Sequence, residues 1–230
     1  MKKLLLAAAC AGALAACSPP APTQSVAPSA AGPIQPVTTE APAGAYTLDK
    51  AHASLIFRVN HLGFSEYTAR FTKFGVNLQF DPANPAAMRV EAKIDPRSLA
   101  LENPPPGFLD QLRGPNWLDT AKHPEMTFRS TAVELVAPNA ARVTGDFTLR
   151  GVTKPVVLDV TFNGGYAGHP MDPHARIGFS AKGVFKRSDF GMAYGVPAPG
   201  STMGVGDDVN VAIEAEMNGP PLAKPASTSP

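Results

Sequence analysis

The sequence is poor in the residues that most quickly betray a chemistry. In 230 residues there are two cysteines, one tryptophan and four tyrosines, and a formal net charge of +1. Cys10 lies inside a short apolar leader, so a processed chain keeps only Cys17 and no internal disulfide is available to it. The fold must therefore hold by its core. One Trp and four Tyr are too few for the two aromatic girdles of a membrane-spanning β-barrel. A charge near zero gives no electrostatic footprint for nucleic acid. The longest apolar run, Leu4 to Ala16, is too short for a spanning helix. Catalytic signatures are missing as well. Gly178-Phe179-Ser180-Ala181-Lys182 lacks the second glycine of a nucleophile elbow, no glycine loop is built to cradle a phosphate, and no enzyme is expected.

What is present begins with targeting. Lys2-Lys3 and the apolar run make a leader over residues 1–17. Its end, Leu14-Ala15-Ala16-Cys17, resembles the lipobox of bacterial lipoproteins, in which the cysteine becomes an acylated N-terminus. Each buried acyl methylene is worth about 0.8 kcal/mol, so several chains on Cys17 would hold the protein on a membrane. Ser18 in place of Asp resembles the sorting pattern for the periplasmic side of the outer membrane. Residues 18–45 are rich in Pro and Ala and read as a disordered linker, and residues 219–230 as a disordered tail.

Between them, residues 46–218 read as strands. Met88, Val90, Ala92 and Ile94 alternate with Arg89, Glu91, Lys93 and Asp95. The same period recurs in Ser54–His61, Met126–Val136, Ala141–Leu149, Pro155–Asn163, Arg176–Arg187 and Asp208–Met217. Leu149-Arg150-Gly151-Val152 marks a tight hairpin. The stretch Tyr67–Phe80 needs a bend near Lys73–Gly75 to keep Phe71, Phe74, Val76 and Leu78 on one side. About eight strands result, enough for an all-β, eight-stranded antiparallel barrel. Periodicity fails after Ile94. Asn103-Pro104-Pro105-Pro106 breaks the strand, and Phe108, Leu109 and Leu112 fall at helical spacing, so a short helix and loop are expected across one mouth with Trp117 and Leu118 beneath. A plain surface connection with Trp117 as a core plug fits the same residues.

Inward positions pair large residues with small ones: Phe147 with Gly145, Phe128 with Ser130, Phe179 and Phe185 with Ala181 and Gly183. That suits either a barrel holding one small ligand or close packing at the glycines.

Six motifs in order carry a family likeness: Asp49-x-x-His52 with Phe57 and His61-Leu62-Gly63; Phe71-x-x-Phe74-Gly75; His123-Pro124-Glu125-Met126-Thr127-Phe128; Leu149-Arg150-Gly151-Val152-Thr153-Lys154-Pro155-Val156; Arg187-Ser188-Asp189-Phe190-Gly191; and Val205-Gly206-Asp207-Asp208-Val209. From Tyr46 to Met217 the chain resembles the YceI family, lipocalin-like periplasmic proteins that bind polyisoprenoids. Ala53 and Ala69 depart from it, where serine and glycine are usual. The resemblance implies an apolar tunnel for an isoprenoid lipid, a polyprenyl phosphate or a quinone, with no further cofactor. Taken with the inward parity, it implies ligand contacts from Phe57, Phe71, Phe74 and Phe128, from Phe147, Phe179 and Phe185, from Leu112 and Trp117, and from His61 and Arg187. Arg150, Lys154, Lys186 and Arg187 are candidates for a phosphate head, each equally an ordinary solvated charge. His52 and His61 read as head-group contacts or structural imidazoles. His169-Pro170-Met171-Asp172-Pro173-His174 reads as loop rather than metal site, and Asp207-Asp208 as caps, so no metal is expected.

The expected partners are an isoprenoid lipid and the membrane reached through Cys17. A homodimer stays open. Two other readings remain: an enzyme acting on a prenyl lipid, and a spanning outer-membrane barrel.

Overall fold

The alternating segments become ten strands in a computed structural model that describes residues 33–222. They are β1 (Gly44–His61), β2 (Ser65–Phe71), β3 (Phe74–Phe80), β4 (Arg89–Ile94), β5 (Leu99–Leu101), β6 (Met126–Ala137), β7 (Ala140–Leu149), β8 (Val152–Tyr166), β9 (His174–Lys186) and β10 (Val205–Pro221). A single helix, α1 (Phe108–Arg113), is described. Every strand pairing is antiparallel, and β1 bonds to β10 with Leu55 opposite Ile213 and Phe57 opposite Val211, which closes the sheet.

Ten strands make an eight-stranded barrel because two neighbouring barrel strands are each broken in two, one into β2 and β3 and the other into β4 and β5. β2 pairs with the end of β1 at residues 56–61, whereas β3 pairs with its start at residues 44–47. The break falls at Thr72-Lys73. Their amides stay satisfied: Thr72 N–H donates to the Ser98 carbonyl and Lys73 N–H to Ser98 Oγ at 3.0 Å. One extra residue between Phe71 and Phe74 resets the parity, so both rings face inward as expected, and β5 pairs with β2 while β4 pairs with β3.

The hairpin at Arg150-Gly151 is a two-residue turn in which both φ angles are positive, 53° and 75°. That is the requirement of a type I′ turn, and glycine meets half of it without strain.

The barrel has two unlike ends. The helical end carries the long connection from Glu102 to Glu125 with α1, the Arg150 turn, and the segment Arg187–Gly204. The other end carries the β3–β4, β6–β7 and β8–β9 connections. Residues 33–43 also lie there, which corrects the expected linker. Val37 N–H donates to the Pro138 carbonyl at 2.8 Å, Tyr46 Oη to the Pro42 carbonyl, and Ala41 is 2% exposed. A side chain as small as alanine fits because Gly165 lies beneath it: a Cβ there would sit 3.1 Å from that of Ala41. Proline-rich sequence hid this strap, since an extended segment can pack flat without any periodic signal. At the far terminus β10 runs on to Pro221, and Leu222 N–H reaches the Pro173 carbonyl, so the ordered domain also outlasts the expected boundary at 218. The leader, Cys17, the rest of the expected linker and the tail beyond Leu222 lie outside the described residues.

Outward side chains are charged along the strands, among them Arg89, Glu91, Lys93, Arg129, Arg142, Asp159 and Lys182, all exposed. A lipid-facing barrel shows the reverse, an apolar outer band. The spanning reading is therefore corrected.

Candidate functional site

Inward residues of every barrel strand surround a cavity of about 720 Å³, inside the range of roughly 300–1,000 Å³ that encloses a drug-sized ligand. Its wall is nearly all carbon. Polar side chains lie toward its ends: His61, Tyr67, Glu102, Asn103, Trp117 and Arg187 at the helical end, Thr39 and Asn139 at the strap end. The eleven residues expected from sequence as ligand contacts all line it.

Aromatic rings shape the space without filling it. Phe147, Phe185 and Phe190 meet with centroids 5.2–5.4 Å apart, and Phe57 stacks on Phe71 at 5.5 Å. Toward the strap end Phe80 of β3 reaches the opposite wall, 5.8 Å from Phe162 of β8 and 6.5 Å from Phe179 of β9. That contact narrows the barrel over the lower core of Tyr46, Leu78, Ile177 and Met217.

Of the two readings of the glycines, close packing is the one the structure shows. A Cβ on Gly145 would lie 2.3 Å from Phe128 Cζ, and one on Gly183 2.6 Å from Leu158 Cδ2. Both glycines admit a neighbouring side chain, and neither lines the cavity. Ser130 Oγ accepts from Val90 N–H and is likewise no part of the wall. Small wall residues are alanines instead: Ala69, Ala92, Ala141, Ala181 and Ala215. The strap residues Pro36 and Val37 also join the wall, and sequence carried no periodic signal for them.

The helix reading holds. Phe108 and Leu112 of α1 line the cavity together with Trp117 and Leu118. The Arg150 guanidinium donates to the Trp117 carbonyl, tying the hairpin to this connection. Trp117 stands edge-on to Tyr194 at 5.9 Å, and the Arg187 guanidinium lies over its ring at 5.0 Å.

The four cations proposed for a phosphate head are not a free anion site. Arg187 is 2% exposed and donates to the carbonyls of Gly206, Met192, Tyr194 and Val205, so four of its five N–H groups are engaged. Burial holds its pKa below the usual arginine value, with Asp207 pulling the other way. Lys186 pairs with Asp208 and Asp207, while Arg150 serves the Trp117 carbonyl, and neither these two nor Lys154 lines the cavity.

His52 and His61 part company. His61 is exposed and lines the helical mouth. His52 points outside. In β1 the register against β10 slips between Leu48 and Ala53, and Asp49 organises the bulge. Its carboxylate accepts from Ala51 N–H at 3.0 Å and from Arg176 Nη1 at 2.8 Å, with His52 Nδ1 3.0 Å away. Arg176, then His52, then the Ala51 amide hold Asp49 down to a pKa of about 2. Arg176 also binds Asp172, which accepts from Tyr166 Oη at 2.6 Å. Asp172 is thus committed to a loop-fixing network. Asp49, His52 and Glu216 come close enough to share a cation, but Arg176 already lies among them, 3.7 Å from Glu216.

A YceI-like domain model matches residues 46–217, most of the folded chain. The protein belongs to the YceI family. A UPF0312 protein of Pseudomonas syringae pv. syringae is 35% identical over 167 residues, 71% of this chain and 82% of that relative. Among solved structures, Burkholderia cenocepacia BcnA superposes with a TM-score of 0.63 at 26% identity, over 74% of this chain and 98% of that one. The Campylobacter jejuni YceI protein gives 0.58 at 30% identity over 69% and 88%. A polyisoprenoid binding domain from Saccharophagus degradans shares the fold, with a TM-score of 0.54 at 16% identity over 77% of this chain and 99% of that domain.

Proposed function

We propose that this YceI protein is a lipid-anchored carrier of isoprenoid lipids, held through acylated Cys17 on the periplasmic side of the outer membrane. The observation that carries the reading is the cavity: a carbon-lined space along a closed barrel, with polar groups toward its ends. A prenyl chain has the matching form, apolar along its length and polar at one terminus. The Saccharophagus neighbour, a polyisoprenoid binding domain, supports the same ligand class through the shared fold.

Because a prenyl tail would leave bilayer hydrocarbon rather than water, most of the usual gain of about 25 cal/mol per Å² of buried apolar surface cancels. Transfer in and out is then close to balanced, which suits a carrier more than a store. Orientation falls to the few polar groups near the ends. With Arg187 already bonded to backbone, His61, Tyr67, Asn103, the buried Trp117 indole N–H without a partner among the described residues, and one Arg187 N–H remain at the helical mouth for a polar head. The ligand is the cargo, and the reading calls for no cofactor and no catalytic step.

The test is mass spectrometry of organic extracts from chain lacking the leader and Cys17, followed by titration of the stripped protein with polyprenyl phosphate and with a quinone. A stoichiometric isoprenoid lipid, lost when Ala181 or Ala141 is enlarged to Phe, is the expected result. Extracts free of isoprenoids, together with no binding in either titration, would overturn it.

A further inference from the structure

Next to the helical mouth the surface turns apolar and uncharged. Gly191 to Gly206 contains no Asp, Glu, Lys or Arg, in a chain where 17% of residues are charged. Most of that segment is exposed. Met203 is 74% and Tyr194 57% exposed, and Phe64, at the β1–β2 turn, is 85% exposed.

These three side chains belong to one surface. Leu62 N–H donates to the Gly204 carbonyl at 2.9 Å, and a Cβ on Gly63 would lie 3.1 Å from that of Thr202, which puts the turn bearing Phe64 against the segment bearing Met203. Val205 N–H donates to the Gly195 carbonyl, which brings Tyr194 alongside. The mouth is adjacent, because His61 pairs with Val205 and both line the cavity. The segment is also braced. Arg187 holds the carbonyls of Met192, Tyr194 and Val205. Exposed apolar side chains on a braced, charge-free segment mark a contact surface.

We infer that Phe64, Tyr194 and Met203 form a docking surface for a lipid bilayer, through which the helical mouth is presented to the membrane. This rests on the carrier reading above and names the partner of the same cavity. A ring, a thioether and a phenol on or beside a charge-free segment suit the interfacial zone of a bilayer, where apolar area drives insertion and tyrosine keeps its hydroxyl in the head groups. The geometry of the tether allows it. The described chain begins at the strap end, and the sixteen residues from Ser18 to Pro33 have a contour of at most ~55 Å. A 17-residue strand such as β10, tilted by about 40°, gives a barrel height of ~45 Å. An anchored chain can therefore bring the opposite end to the lipid. Acyl chains and patch are then two membrane signals, one holding the protein and the other orienting it.

The test uses the chain from Ser18 onward, which retains the whole described domain and lacks acylation. It is floated with vesicles of phosphatidylethanolamine containing a minor share of phosphatidylglycerol. Partition is expected for the native sequence, to be insensitive to salt, and to fall roughly tenfold or more in a triple Phe64→Ser, Tyr194→Ser, Met203→Ser variant. Met171→Ser, at the equally exposed strap end, is the control and should leave partition unchanged. Loading of the triple variant with polyprenyl phosphate from detergent should match the native chain, while uptake from vesicles slows. Equal partition of triple variant and native chain, an equal loss in the Met171→Ser control, or sedimentation showing the patch buried in a dimer that the triple variant dissolves would each overturn the inference. If the native chain binds vesicles but holds no isoprenoid, the carrier reading fails and the docking surface stands.

Discussion

At the helical end Arg187 is buried and gives its N–H groups to four backbone carbonyls; at the strap end Arg176 sits on the rim and gives its own to carboxylates of Asp49 and Asp172. Both cations staple segments that would otherwise have unfilled carbonyls or loose loops. Their energetics differ in kind. Carbonyl acceptors do not titrate, so the Arg187 brace is indifferent to acid. Carboxylates do titrate, and the partners raise the pKa of Arg176 while they lower those of Asp49 and Asp172. The Arg187 brace is fixed at every ordinary pH, and the Asp49–Arg176–Asp172 network is fixed only while its acids are ionised.

The largest effect is expected from Arg187→Met. It strands four carbonyls, one of them fully inside, and leaves the Gly191–Gly204 segment without its brace. A loss of about 3–5 kcal/mol in denaturant unfolding follows from removing one partner of a buried charged network. Arg187→Lys should recover only a minor part, because a point charge cannot serve four acceptors in a fork. A loss below 1 kcal/mol would show that water replaces the guanidinium, and the contrast between the ends would fail.

Next in size is Gly219→Ala at the strap end. Its φ is ordinary, so backbone strain is not the issue; the added methyl would sit 2.1 Å from Tyr46 Cε1. Tyr46 is 1% exposed and bonded to Pro42, so its ring has nowhere to move. Overpacking of this kind costs roughly 1–3 kcal/mol. Thermal unfolding of the variant measures it, and Gly219→Ala with Tyr46→Leu should regain part of the loss.

Strand sequence announced much of this architecture and far less of its ends. Period-two alternation located the walls because one face of each strand is carbon and the other solvent, and the parity change between Phe71 and Phe74 located the break. The lining aromatics followed from the same arithmetic. What alternation cannot encode is reach. Nothing local says that the Arg187 side chain meets carbonyls up to 19 residues away, so it read as a phosphate-head candidate or an ordinary solvated charge. Gly145 and Gly183 read equally as room or as close packing, because a glycine in a strand also lets a neighbour in, and only three-dimensional packing distinguishes the two. The strap failed for a third reason: its ties are three hydrogen bonds and one buried methyl, none of which leaves a period.

A smaller effect, confined to one end, is expected from acid. Asp49 has a folded pKa of about 2 against an ordinary 3.8. Its contribution is present above about pH 4 and is lost as pH falls toward 2, because the unfolded chain then takes up the proton more readily. Asp49→Asn should flatten stability across that window while changing little at pH 7 beyond the lost ion pair. Hydrogen exchange at pH 3 should show amides of residues 48–52 and 172–176 loosening before those of residues 187–206. Simultaneous loosening of both ends would mean that the two arginines are not independent.

The smallest effect is expected from Val37→Pro. The substitution deletes the N–H that donates to the Pro138 carbonyl at 2.8 Å, and Pro36 already precedes it, so the extended course of the strap is kept. Val37 is 40% exposed and Pro138 stays open to water, which limits the cost to about 0.5–1 kcal/mol. The informative measurement is local. Hydrogen exchange should quicken at Thr38–Ala41 with the barrel amides unchanged, because Ala41 remains buried but the strap loses one of its two long-range polar ties, the other being Thr39 Oγ1 to the Gly165 carbonyl. Since Pro36 and Val37 line the cavity, release of a bound isoprenoid should quicken too if ligand leaves at this end. Release unchanged in this variant and slowed in the Phe64, Tyr194, Met203 variant would assign exit to the helical mouth. The two ends would then differ in function as they do in chemistry, one a seal and the other a door.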